Sequence, residues 1–104
     1  MRPSDYPIAV LVAWAPGCGH CEEYLPRFQA IAGQYAACAP ALLVDAVQNG
    51  PYMQSLGIEA TPTTIVLERG RPRQRFEGAL TDAQIEQVFL GAARCAVEPG
   101  EEAA

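Results

Sequence analysis

The chain of 104 residues contains no lysine, so all seven of its basic residues are arginines. Lysine is thereby removed from the candidate catalytic groups. Twelve acidic residues outweigh the arginines and leave a formal net charge of −5. That balance argues against nucleic acid as the main partner, because neutralising phosphates takes a basic surface. Long apolar runs are missing too. The longest, residues 8–15, falls short of the about 20 residues that cross a bilayer, so no membrane span is expected. Residues 1–7 hold one arginine, one aspartate and two prolines, without the basic start and apolar stretch of a secretory leader, and the chain reads as cytoplasmic. Repeats and linkers are absent as well. What remains is one domain over 1–104, with its core at about 8–96 and a frayed acidic tail at 97–104. Half the residues are hydrophobic and 18% are charged, which suits a packed globular core.

Residues 8–14 form a continuous apolar, β-branched run, the mark of a strand buried on both faces. Pro16, Gly17 and Gly19 then supply a turn. Over 21–37 the apolar residues Leu25, Phe28, Ile31, Ala32 and Tyr35 recur at helical steps, with Pro26 expected to kink the helix. A second short strand is predicted at 41–45. Pro51 opens a short helix that runs to Leu56, and Gly57 closes it in a left-handed conformation. A third strand at 63–67, a turn at Arg69-Gly70 and a fourth strand at 74–77 follow. Gly78 breaks the sheet. Thr81 and Gln84 form a capping box for a last helix with Ile85, Val88, Phe89 and Ala92 on its apolar face. The order β-α-β-α-β-β-α predicts an α/β fold: a four-stranded mixed sheet with helices on both faces.

Four cysteines fall into two kinds. Cys18 and Cys21 make a tight C-x-x-C in the segment Cys18-Gly19-His20-Cys21, where the buried strand gives way to the helix. Unpaired N–H groups and the positive end of the helix dipole favour a thiolate there. Cys18, at the mouth of the helix, is the better-placed nucleophile, and Cys21, one turn in, is placed to resolve a mixed disulfide. A protonated His20 adds positive charge beside the pair, while Glu22 and Glu23 oppose ionisation of Cys18. A lone C-x-x-C also serves as half a metal site or as a redox sensor in a non-enzymatic interaction module. A structural zinc needs four ligands, however, and no metal is expected at a pair with His20 wedged between its members.

Several separated segments resemble the thioredoxin-like oxidoreductases. Trp14-Ala15-x-x-Cys18-Gly19-x-Cys21 is similar to the family's active-site segment, in the version typical of protein disulfide isomerases. Pro26 stands where the family has its helix proline. Thr61-Pro62-Thr63 resembles its cis-proline loop, and Gly78-Ala79-Leu80-Thr81 its glycine before the last helix. The resemblance implies a thiol-disulfide oxidoreductase whose only redox group is the Cys18–Cys21 disulfide, with no separate cofactor. It implies protein or small thiol substrates and a recycling reductase or oxidant. Trp14, the Thr61 backbone and Pro62 would position a substrate strand beside Cys18. The direction of the chemistry stays open: His20 favours an oxidising pair, and the missing leader favours a reductant.

Three positions depart from the family. Val12 replaces a buried acid, so resolution by Cys21 is expected to be slower or to use another base. Gly17 replaces a tryptophan and should open the substrate groove. Thioredoxins also begin with a further strand and helix, for which the residues before Ile8 are too few. The fold is thus read as truncated at the N-terminus, with the strand at 41–45 a bare edge open to homodimer formation. Cys38 and Cys95 sit at the ends of two helices expected on one sheet face. They read as a structural disulfide, or else as two buried thiols acting as small hydrophobes. Arg69, Arg71, Arg73 and Arg75 cluster at the hairpin, where they guard an edge or meet an acidic partner.

Overall fold

Ile8–Trp14 forms a strand, β1, whose first six residues are buried. So apolar a run needs a neighbour on each side and cover on each face, and the chain supplies both. The strand β2 (Ala41–Asp45) pairs with it in parallel, and β3 (Thr63–Glu68) pairs antiparallel on the other side. The strand β4 (Arg71–Glu77) pairs antiparallel with β3, which gives a mixed sheet in the order β2-β1-β3-β4. Three helices complete the order: α1 (Gly19–Ala32), α2 (Gly50–Leu56) and α3 (Asp82–Ala92). The computed structural model of the chain describes residues 5–37 and 39–92. The expected Cys38–Cys95 pairing and the acidic tail lie outside those residues.

Alternation along the central strands divides the core. Val10, Val12 and Val66 face α1 and α3, where they meet Tyr24, Phe28, Ile31, Ile85 and Phe89. Leu11, Ala13, Ile65 and Leu67 face α2 through Met53 and Leu56. Helices therefore cover both faces, as the sequence predicts. Phe28 ties the first cluster together, with ring centroids 5.8 Å from Tyr24 and 5.6 Å from Phe89.

Local boundaries differ from expectation for definite reasons. The first helix starts two residues earlier than its apolar period suggests, because Cys18 in extended conformation serves as its N-cap. It ends at Ala32 rather than at 37, since Gly33 is a poor helix former and the chain tightens into a 3₁₀ turn, Gly33–Tyr35. The fourth strand begins three residues before 74. Pro72, which spoils a central strand, is tolerated on this edge, and a bulge beside Val66 and Leu67 leaves Arg73 as the extra residue. Arg69 and Gly70 both take positive φ, 51° and 86°, as a two-residue hairpin turn of the primed type requires. Gly57 is left-handed at φ 72° and closes α2, and Thr81 and Gln84 make both bonds of their capping box.

Candidate active site

The end of β1, the mouth of α1 and the loop entering β3 meet at one edge of the sheet. After Trp14 the chain turns through Ala15 and Gly17, the Cys18 N–H bonding Ala15 O at 3.3 Å. Gly17 sits at φ 78°, with open space where a Cβ would stand. The family's bulky residue is thus replaced by a gap, as its absence from the sequence suggests. Cys18 then caps α1, its Sγ accepting the Cys21 N–H at 3.2 Å. Cys18 and Cys21 are joined by a disulfide, with their Cα atoms 5.2 Å apart.

The two sulfurs have unequal surroundings. Cys18 is half-buried, whereas Cys21 is only 1% exposed. Cys18 is the more accessible of the two, as their order in the helix leads one to expect. The Thr61–Pro62 peptide bond is cis, and this segment lies against Cys18. Thr61 Oγ1 donates to Cys18 Sγ at 3.6 Å, and Thr61 O lies 3.7 Å from the same sulfur. Pro62 is buried, and its carbonyl accepts the Gly78 N–H at 2.8 Å, so the glycine after β4 braces the loop. Trp14 is half-buried at the end of β1, where its carbonyl accepts the Ala46 N–H at 2.7 Å.

His20 is exposed and hydrogen-bonds neither sulfur. It lies close enough to Glu23 to be a minor cause of that carboxyl's lowered pKa. The hydrogen bonds of Arg27 are the larger cause of that lowering. Arg27 grips Glu23 through Nε at 2.5 Å and Nη2 at 2.9 Å, and its own pKa is pushed further up, chiefly by Glu23 and then by Asp82. Glu23 therefore opposes a Cys18 thiolate less than its place in the sequence suggests.

Val12, at the position of the family's buried acid, is fully buried in the cluster beneath α1. Thr64 stands opposite it on β3, and the Tyr24 hydroxyl meets Thr64 Oγ1 at 2.8 Å. Sequence reading missed this buried polar pair and two arginine clamps. Arg27 also reaches Leu80 O at 3.0 Å and Asp82 Oδ1 at 2.7 Å, which ties the active-site helix to the start of α3. Arg75 donates to Gly57 O at 2.7 Å and to Leu56 O, holding the end of α2 from which the Thr61 loop departs. Only the spacing of Glu23 and Arg27, four apart on a helix, was a sequence signal for any of these.

Comparison with known proteins finds similar chains. A family model described as Thioredoxin matches residues 4–90. Protein disulfide-isomerase like 2-2 of Arabidopsis thaliana is 28% identical over 83 residues, which are 80% of this chain and 19% of that protein. Chloroplastic thioredoxin Y of Oryza sativa subsp. japonica is 29% identical over 92 residues, 88% of this chain and 54% of its own length. The chain thus spans about half of that relative and under a fifth of the first. Among solved structures, a mutant thioredoxin from Halobacterium salinarum superposes with a TM-score of 0.79 at 19% identity, over 88% of this chain and 79% of that one. That last likeness is one of fold.

Proposed function

Because the chain belongs to the thioredoxin family, we propose that it exchanges disulfides with protein or small thiol substrates through Cys18 and Cys21. The observation that carries this reading is the setting of Cys18 Sγ, which receives the Cys21 N–H at 3.2 Å and the Thr61 hydroxyl at 3.6 Å. Both donors favour the thiolate over the thiol, and the helix N-terminus adds its partial positive charge.

In the reducing direction the Cys18 thiolate attacks one sulfur of a substrate disulfide. A Cys18–substrate bond forms, the substrate's own S–S bond breaks, and the other sulfur leaves as a thiolate that takes a proton from water. The Cys21 thiolate then attacks Cys18 Sγ, closing the internal disulfide and releasing the second substrate thiolate. Two electrons have passed from the dithiol to the substrate. A recycling reductase restores the dithiol; in the opposite direction every step reverses and an oxidant restores the disulfide. An extended substrate segment pairs with the Thr61 main chain, in the gap left at Gly17, with Trp14 beside it. With valine at position 12, Cys21 lacks a carboxylate at that position, so its resolution step is slower or uses another base.

Redox titration in glutathione buffers tests the reading and its direction together. A midpoint near that of thioredoxin, roughly −270 mV, makes the protein a reductant; one near that of disulfide isomerase, about −180 mV, makes it an oxidant or isomerase. Cys21→Ser is expected to accumulate a mixed disulfide through Cys18, and Cys18→Ser to abolish turnover. Absence of any titratable disulfide between these cysteines sinks the proposal and leaves a metal-binding or sensing module instead.

A further inference from the structure

The sheet has two edges, and the chain treats them in opposite ways. Along β4 stand Arg71, Arg73 and Arg75, a proline and a bulge, all of them features that discourage a further strand from pairing. Along β2 stand Ala41, Leu42, Leu43, Val44 and Asp45, with one charge and neither proline nor bulge. All five residues are half-buried. Ala41 and Leu43 lean on the cluster under α1 and α3, and Leu42 and Val44 on the cluster under α2. An open cleft of about 380 Å³ runs beside the strand, lined in part by Ala32, Gly33, Ala36, Ala41 and Leu43.

The register shows which backbone groups face outward. Val10 N–H bonds Pro40 O at 2.9 Å, and Ala46 N–H bonds Trp14 O at 2.7 Å. By alternation, residues 42 and 44 turn their N–H and C=O groups towards β1, while Ala41, Leu43 and Asp45 turn theirs away. Nothing among the described residues pairs with that outer side as a strand.

We propose that β2 pairs antiparallel with β2 of a second copy, about a two-fold axis at Leu43, to make one eight-stranded sheet. Of the three outward residues only Leu43 allows this. Centring on Asp45 sets two carboxylates opposite each other, and centring on Ala41 sets Leu43 opposite the partner's Ala39, which lies outside the strand, is fully buried and already gives its N–H to Tyr35 O. About Leu43 the charge of Asp45 faces the partner's Ala41, and Leu42 faces the partner's Val44. Leu43 exchanges two hydrogen bonds with the partner's Leu43, and each Asp45 N–H reaches the partner's Ala41 carbonyl. The Asp45 carbonyl takes no part, since Asn49 already fills it through its backbone N–H at 3.1 Å and its Nδ2 at 2.9 Å. Such an interface is isologous, the same strand serving on both sides.

Sedimentation equilibrium over a wide concentration range tests this. The wild type should pass from monomer to dimer. Leu43→Lys and Leu43→Glu should each stay monomeric where the wild type dimerises, and an equimolar mixture of the two should dimerise again. Ala41→Lys, opposite the partner's Asp45, should tighten the dimer by roughly two- to thirtyfold in Kd over the two symmetric pairs, and Ala41→Asp should weaken it. Opposite signs at one site separate pairing from loss of folding. A wild type that stays monomeric throughout means that some other strand, or none, covers this edge, and the proposal fails. It also fails if the Leu43 variants dimerise alone, or if their mixture does not.

Discussion

The Thr61 hydroxyl lies 3.6 Å from Cys18 Sγ, and in the proposed function the main chain of the same residue pairs with substrate. Thr61→Val keeps shape and backbone and removes only the donor. Alkylation of Cys18 at neutral pH should then slow severalfold, because a hydrogen bond to the charged form is lost; an unchanged rate would leave the Cys21 N–H as the donor that matters. Buried beneath the same helix, Tyr24 and Thr64 satisfy each other at 2.8 Å. Tyr24→Phe strands the Thr64 hydroxyl and should destabilise the fold by about 1–3 kcal/mol, whereas Tyr24→Phe with Thr64→Val should recover part of that loss. A double-mutant cycle by urea denaturation checks the coupling. The cysteines were legible from their motif spacing, and Thr61 and Pro62 from the family resemblance of their segment. Tyr24 with Thr64 and Arg27 with Leu80 were not, for their partners lie 40 and 53 residues away and no local pattern announces them.

Among the elements, α3 was the most legible, because its start is written in two side chains that bond each other's backbone. Thr81 Oγ1 accepts the Gln84 N–H at 3.1 Å, and Gln84 Oε1 accepts the Thr81 N–H at 2.8 Å. Thr81→Ala should therefore cost about 1 kcal/mol, read as a lower denaturant midpoint at unchanged slope. The strand β4 was the least legible. Its arginines and Pro72 look like loop, and only pairing with β3 along a sheet edge makes a strand of them. The first helix fell between: its buried face follows the apolar period, but its true start depends on a cysteine acting as cap, a role its sequence position alone does not reveal. Arg27 fastens that helix to the start of α3. Arg27→Met keeps the aliphatic stem and should loosen both ends together, seen as faster amide exchange at 80–85 with the dithiol still reactive.

For the molecule as a whole, the tyrosines set its tolerance of alkali. Burial holds the Tyr24 and Tyr52 hydroxyls above their ordinary 10.0, and donation to Glu86 does so for Tyr35. The unfolded chain ionises these phenols first, so stability is whole below pH 10 and falls as pH rises above it. Urea midpoints measured across that range should decline, and Tyr24→Phe should flatten the decline. The order of the sheet also bears on how the protein is made. Cys18 and Cys21 are three residues apart and need only one helical turn to meet, but Thr61 lies 43 residues after Cys18. At roughly 5–20 residues per second, a ribosome needs roughly 2–9 s to bridge that gap. For that interval the nascent chain carries both thiols with neither their cover nor the antiparallel neighbour of β1 yet synthesised. The thiol pair is complete before the fold, and the redox environment the growing chain meets sets the first oxidation state of its disulfide.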